Sequence, residues 1–380
     1  MEATCVSGIT RHRRRIVVKL GSSSVVGEDG TLSLAKLTRL VTQMVTLQRS
    51  GAWQLVLVSS GAIAVGLTEL GWRRGSITLP EKQAAASVGQ TRLMEHYQRL
   101  FGSQAVRVGQ LLLTRADIED RKRFLHIRNT VLTLLRNGIV PIVNENDTVA
   151  VEEIRFGDND TLAALVALVA EADVLVLLTD IDGLYTGDPR VDAEAQRIVE
   201  VPVITEQIER LAGGAGSAVG TGGMQTKITA AKIAVQAGTR VVVAAASELD
   251  VLLRVAAGEQ VGTSFHPRQN PYSLRKSWLV HGPHPEGTVV IDAGAVAALL
   301  HQSGSLLLPG VCGVTGDFQE GAIVALTDLN DHVLGKGIVN FAARDLADLL
   351  TRRRDGENLH NLPEVVHRDH LVIWREGDAP

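Results

Sequence analysis

The sequence predicts an α/β protein: a mainly parallel sheet sandwiched by helices, followed by a small, mostly β second domain. Three observations lead there. Through residue 265, short Val/Ile/Leu runs alternate with longer stretches of helical period, as βαβ units do. Apolar residues make up 45% of the chain and aromatic ones only 3%, so the core must be aliphatic, which suits buried parallel strands. After Phe265 the character changes: residues 266–285 hold four prolines, at 267, 271, 283 and 285, and the apolar runs beyond are short and separated by turns.

The elements are read in order. Residues 15–20 form a strand. Residues 34–50 carry Leu34, Leu37, Val41, Met44, Val45 and Leu47 at helical spacing, and Gly51 closes them. A strand follows at 54–58. A helix at 119–137 is stopped by Gly138, with a strand at 139–143. A helix at 162–172 leads into a strand at 174–178, and a helix at 224–237, ended by Gly238, into a strand at 239–243. In the second domain, strands are expected at 287–291, 305–308, 322–327 and 333–339, with one helix at 293–301. The chain thus divides into a disordered extension (1–14), a first domain (15–265), a linker (266–285) and a second domain with its tail (286–380).

Composition excludes several classes. The formal net charge is -4, so the chain as a whole has no bias toward nucleic acid. The two cysteines, Cys5 and Cys312, form no CxxC pair, and the 11 histidines show no metal-ligand spacing. The most apolar stretch, 162–178, is broken by Glu171 and Asp173 and falls short of the roughly 20 residues that span a bilayer. The basic cluster at 11–15 lacks the apolar run of a signal peptide. These features lead to the expectation of a cytoplasmic protein without a membrane partner.

Open α/β sheets bind ligands beyond the carboxyl ends of their strands, so the chemistry is sought in the loops there. Lys19-Leu20-Gly21-Ser22-Ser23-Ser24 places backbone N–H groups and hydroxyls beside a lysine, which suits anionic oxygens. Ser59-Ser60-Gly61-Ala62 opens a helix straight after a strand. Gly220-Thr221-Gly222-Gly223-Met224-Gln225-Thr226-Lys227 is a glycine loop with a lysine in the first helical turn. That lysine opposes the helix dipole unless a phosphate sits there. Asn144-Glu145-Asn146-Asp147 and Asp158-Asn159-Asp160 supply carboxylates and amides, and Thr179-Asp180 ends a strand. Taken singly, each also reads as an ordinary turn or cap. Together, two lysines, glycine and serine loops and acidic groups without a nucleophile describe phosphoryl transfer, where positioning and charge stabilisation carry the catalysis.

These motifs, with Val88-Gly89-Gln90-Thr91-Arg92-Leu93-Met94 and Phe156-Gly157-Asp158, resemble the glutamate 5-kinases in kind and order across residues 15–265. Asp292-Ala293-Gly294-Ala295, Pro309-Gly310-Val311 and Gly316-Asp317-Phe318 resemble a PUA domain. The resemblance implies the amino-acid-kinase fold, ATP with Mg2+ as cofactors, and phosphorylation of the side-chain carboxylate of L-glutamate toward proline. It implies Lys19 and Lys227 as phosphoryl-stabilising lysines and Asp160 as the carboxylate that orients them. Thr179, Asp180, Thr221, Gly222, Gly223, Met224, Gln225, Thr226 and the two lysines would contact the nucleotide; Ser59, Asp147 and Asn159 would contact glutamate. Proline is expected as an inhibitor and a homo-oligomer as the assembly. Ile181-Asp182 and Gln225 depart from the family pattern. Two alternatives stay open. Another amino-acid kinase, such as one for acetylglutamate, would differ in recognising no free α-ammonium. An RNA-binding role for the second domain is opposed by the acidic net charge and by Phe318 being the sole aromatic between Gly287 and Val339.

Overall fold

A computed structural model describes residues 13–27, 31–72, 77–149, 159–189, 192, 194–212, 223–269, 271–281, 283–302, 304–359 and 362–374. The first part runs β1 (Arg14–Leu20), α1 (Ser22–Val25), α2 (Leu34–Arg49), β2 (Trp53–Val58), α3 (Ala62–Glu69), α4 (Leu79–Gly102), β3 (Val108–Leu113), α5 (Arg115–Glu119), α6 (Arg121–Arg136), β4 (Val140–Glu145), α7 (Asn159–Ala170) and β5 (Val174–Thr179). It continues with β6 (Leu184–Tyr185), β7 (Arg197–Ile198), β8 (Glu200–Val201), α8 (Glu206–Ala212), α9 (Met224–Gln236), β9 (Arg240–Ala245), α10 (Val251–Ala257), β10 (Thr263–Phe265) and α11 (Leu274–His281). The second part holds β11 (Gly287–Ile291), α12 (Ala293–Gln302), β12 (Val311–Gly316), β13 (Ile323–Thr327), β14 (Val333–Val339), α13 (Ala343–Arg354) and β15 (Val366–Ile373).

Eight strands form the larger sheet in the order β3-β4-β2-β1-β5-β9-β10-β8, and all neighbours are parallel except β9 and β10. Side chains alternate across each strand, so one run of Val and Leu feeds two cores. Val17, Val56, Val58, Leu175, Leu177 and Val243 face α7 and α9. Ile16, Val18, Leu20, Leu55, Leu57 and Val176 face α2, α4 and α10. Lys19 shares the parity of Val17, which places it toward α7 and α9. From β1 the chain steps to β2 on one side and later returns to β5 on the other. The β1–β5 crevice is therefore the switch point where ligands of such sheets bind.

The second sheet has the order β12-β11-β13-β14-β15. One face packs with α13 around Val289, Ile291, Val324, Leu326, Leu346 and Leu350. From the other face Ile323, Ile338 and Val372 join the first core through Trp278 and Leu279 of α11.

Several expectations are corrected. Residues 266–285 are not a plain linker: α11 lies inside them, Trp278 is buried, and its indole N–H donates to the Ile118 carbonyl at 2.8 Å. The prolines flank this helix rather than interrupt it, so they mark its ends. Residues 305–308 form no strand. Leu306 makes one isolated bridge to Val366 and a 3-10 turn covers Leu308–Gly310. The second domain contains a further helix, α13, whose Ala343, Leu346, Leu349 and Leu350 form a buried helical stripe. β1 begins at Arg14, one residue inside the expected extension, and residues 1–12 of that extension lie outside the described residues. No helix among the described residues is long and apolar enough to cross a membrane.

Candidate active site

Two lysines meet one carboxylate at the switch point. The Lys19 Nζ lies 2.6 Å from the Asp160 Oδ1, and the Lys227 Nζ donates to the Asp160 Oδ2 at 3.2 Å. The side chains are 8%, 4% and 1% exposed for Lys19, Lys227 and Asp160. The Thr226 hydroxyl adds a 2.8 Å bond to the same Oδ2. Each element delivers its residue for a local reason. Lys19 sits one residue from the end of β1 on the α7 side. Asp160 sits in the first turn of α7, where the helix dipole favours an anion. α7 is apolar nearly all round, every residue from Ala163 to Ala170 being buried, which fixes it under the sheet. Gly223 caps α9 and places Lys227 in its first turn, against the dipole, with Asp160 as its counter-ion.

Burial works to raise the Asp160 pKa, but the Lys19 and Lys227 charges and the Thr226 hydroxyl outweigh it and hold the carboxyl below its ordinary value. The carboxylate is thus ionised. Two ammonium groups against one carboxylate leave a net positive charge among these three buried side chains.

A second group lies at the ends of β2 and β4, joined by one amide. The Asn159 Nδ2 donates to the Ser59 carbonyl at 3.0 Å, the Ser60 hydroxyl at 2.8 Å and the Asn144 Oδ1 at 3.3 Å. The Asn144 Nδ2 donates to the Gln90 Oε1 at 2.7 Å. The Ser59 hydroxyl pairs with the buried Tyr97 hydroxyl at 2.8 Å; burial pushes the Tyr97 pKa up to about 12, against the lowering pull of Ser59. With its two N–H groups shared among three acceptors, Asn159 turns a buried Oδ1 that has no hydrogen-bond partner among the described residues. Asp147 stands on the turn after β4, where its carboxyl hydrogen-bonds Glu145 rather than Ser59 or Asn159. Burial raises its pKa to about 6, partly offset by that bond.

Thr179 ends β5 and donates to the Asp180 carboxylate at 2.9 Å, and its carbonyl accepts from the Ala246 N–H at 2.8 Å. Gly223, Met224 and Thr226 are half-buried, Gln225 is exposed, and Thr221, Gly222 and Asp158 lie outside the described residues. The structure therefore joins Lys19, Lys227, Thr226 and Asp160 directly, and Ser59 with Asn159. Thr179 and Asp180 lie on the neighbouring strand end.

Sequence reasoning missed the supports. On α2, Lys36 donates to the Ser23 and Val26 carbonyls at 3.0 and 3.3 Å. Arg39 donates to the Ser247 carbonyl at 3.0 Å and to that of Ala246. One helix thus ties down the loops after β1 and β9. Their spacing, i and i+3, was the available signal. Gln90 and Tyr97 reach the site because α4 crosses α3 in close contact. A Cβ on Gly89 would lie 1.8 Å from the Ala62 carbonyl oxygen, and one on Gly66 would lie 1.7 Å from that of Ala85.

The model of the amino acid kinase family matches residues 14–245, and that of the PUA domain matches residues 287–360. A glutamate 5-kinase of Carboxydothermus hydrogenoformans is 48% identical over 377 residues, covering 96% of this chain and 99% of the relative. One of Moorella thermoacetica is 46% identical over 364 residues, covering 95% and 96%.

Proposed function

The chain belongs to the glutamate 5-kinases of the amino acid kinase family, and we propose that it transfers the γ-phosphoryl group of ATP to the side-chain carboxylate of L-glutamate. The product is γ-glutamyl phosphate, the first step toward proline. The observation that carries the proposal is the buried pair of lysines on one buried carboxylate at the β1–β5 switch point. A carboxylate oxygen of glutamate attacks the γ-phosphorus, an O–P bond forms, the bond to the β-γ bridging oxygen breaks, and ADP leaves. No general base is needed, since the attacking carboxylate is already ionised at pH 7. Lys19 and Lys227 offset the charge that develops on the transferring group, and Asp160 holds both in place.

At the other end of the substrate, the Asn159 Oδ1 and the Asp147 carboxylate are the proposed acceptors for the α-ammonium, with Ser59 beside them. An acetylated amine would bring no positive charge to this place. Mg2+ is proposed to arrive on the ATP phosphates, where it neutralises their charge. It needs few protein ligands beside phosphate oxygens and waters, and the exposed carboxylate of Asp180 at the end of β5 fits that modest demand. Thr179, Asp180 and the loop from Thr221 to Lys227 are the proposed nucleotide contacts. Proline shares the α-carboxylate and α-ammonium of glutamate but has no carboxylate to phosphorylate. It is proposed to compete for the same contacts, in a homo-oligomeric, cytoplasmic enzyme.

The test is ADP release measured with glutamate, acetylglutamate and aspartate in parallel, and with proline titrated at several glutamate concentrations. Glutamate should be the preferred acceptor, and proline inhibition should weaken as glutamate rises. Turnover that prefers acetylglutamate would overturn the substrate assignment, and inhibition indifferent to glutamate would move proline to another site.

A further inference from the structure

The buried stripe of α4 runs through Gly89, Gln90, Leu93, Tyr97 and Phe101. A glutamine in such a stripe is unfavourable unless its amide is paired. Here the partner belongs to the Asn159 group. The Gln90 Oε1 accepts from the buried Asn144 Nδ2 at 2.7 Å, and the Asn144 Oδ1 accepts from the Asn159 Nδ2 at 3.3 Å. We propose that Gln90 is a positioning residue for the glutamate site: through Asn144 it fixes which end of the Asn159 amide is offered to the substrate. The inference rests on the glutamate kinase reading, in which the Asn159 Oδ1 meets the α-ammonium.

The polarity of this row of amides carries the argument. A carboxamide has an oxygen end and an NH2 end of nearly equal shape, and its neighbours decide which way it turns. The Ser59 carbonyl only accepts, so it holds the Asn159 Nδ2 toward itself at 3.0 Å, and the Ser60 hydroxyl takes a second bond at 2.8 Å. Asn144 must then offer its oxygen to Asn159, which turns its own Nδ2 to Gln90, and Gln90 must offer oxygen in turn. With an oxygen at position 90 every link is satisfied. The Asn159 Oδ1 is left over as a buried acceptor with no hydrogen-bond partner among the described residues. Without that oxygen, neither orientation of Asn144 is satisfied. If Asn144 stays, its Nδ2 is unpaired; if it turns over, its NH2 faces the NH2 of Asn159. The preference is lost, and with it the fixed aim of the Asn159 Oδ1.

The helix is placed for this role. Gly89 stands beside Gln90, and a Cβ there would lie 1.8 Å from the Ala62 carbonyl oxygen, so α4 crosses α3 at backbone contact. Seven residues on, the same stripe brings the Tyr97 hydroxyl to the Ser59 hydroxyl at 2.8 Å. One helix thus supports the ends of both β4 and β2. Neither contact involves Lys19, Lys227 or Asp160, so loss of Gln90 should be felt in glutamate binding rather than in phosphoryl transfer.

The experiment compares Gln90→Met, which fills the stripe without an acceptor oxygen, with Gln90→Glu, whose ionised carboxylate only accepts. In coupled ADP release, Gln90→Met should raise KM for glutamate about fivefold or more, with kcat within about threefold and KM for ATP within about twofold. Gln90→Glu should bring KM for glutamate back to within about twofold of wild type. A second readout needs no substrate: solvent exchange of the Asn144 and Asn159 side-chain amide protons in the full chain labelled with 15N-asparagine. Their signals are identified by loss in Asn144→Asp and Asn159→Asp. Exchange at both should quicken about tenfold in Gln90→Met and slow again in Gln90→Glu. An active Gln90→Met enzyme with KM for glutamate within twofold of wild type would overturn the proposal, as would unchanged amide exchange. So would a rise in both KM values with a lower urea midpoint that Gln90→Glu does not recover, since that is the mark of packing alone. A wild type that releases no ADP with glutamate would overturn the kinase reading, and amide exchange would still decide whether Gln90 sets the Asn159 orientation.

Discussion

Replacing Lys227 with methionine separates catalysis from stability. In the wild type, two buried ammonium groups share the Asp160 carboxylate, at 2.6 Å from Lys19 and 3.2 Å from Lys227. Lys227→Met keeps an unbranched apolar side chain as far as Cε, removes the charged Nζ, and leaves Lys19 and Asp160 as a neutral pair at the shorter distance. Desolvating an ion costs several kcal/mol and Lys19 still neutralises Asp160, so stability should stay within about 1 kcal/mol of wild type. Catalysis should move the other way. Removing one preorganised charge stabiliser typically lowers turnover by about 10²–10³-fold, or roughly 2.7–4 kcal/mol of transition-state stabilisation. The proposed contact of Lys227 with the phosphoryl group would be strongest as charge develops, so kcat should fall while KM for glutamate stays within about threefold. The assays are coupled ADP release and urea unfolding on the same preparation. A loss of turnover below tenfold would remove Lys227 from the reacting centre. A matching loss of stability would mean that Lys227 holds the fold together, and the separation of catalysis from stability would fail.

Three further outcomes follow from named contacts. The Asp147 pKa is raised to about 6, so its protonated form stabilises the substrate-free fold. That contribution is fully present below the ordinary carboxyl value, near 4, and is lost as pH rises through about 6. Ammonium binding needs the ionised form, so KM for glutamate should climb as pH falls below about 6, and Asp147→Asn should raise KM and flatten that dependence; a flat profile in the wild type would sink the assignment. Gly89→Ala would set a Cβ 1.8 Å from the Ala62 carbonyl oxygen. It should cost at least the roughly 1–3 kcal/mol of ordinary overpacking, read by urea unfolding, and a stable, fully active variant would refute the close crossing. A chain ending at residue 265 loses the buried Trp278, worth about 3–5 kcal/mol by analogy with core aromatic truncations. It should unfold more readily than one ending at 285, and equal midpoints by circular dichroism would restore the earlier boundary.

Much of this was legible in the chain because it is local. Aliphatic runs alternating with helical stripes gave the mainly parallel sheet. A period of two set Lys19 on one face of β1, and a glycine cap put a lysine in the first turn of α9. Glycine and proline misled where they flank structure: the residues between Pro271 and Pro283 carry a buried helix. The pairings that make the site come from residues distant in sequence. Asp160 meets Lys227 across 67 positions, Asn159 meets Ser60 across 99 and Gln90 meets Asn144 across 54. No local preference encodes such meetings. They exist because parallel strands with crossover helices bring separate loops to one edge of the sheet, and because the strand register fixes which loop ends stand side by side. The supports on α2 arise in the same way, from surfaces that become neighbours once the chain has folded.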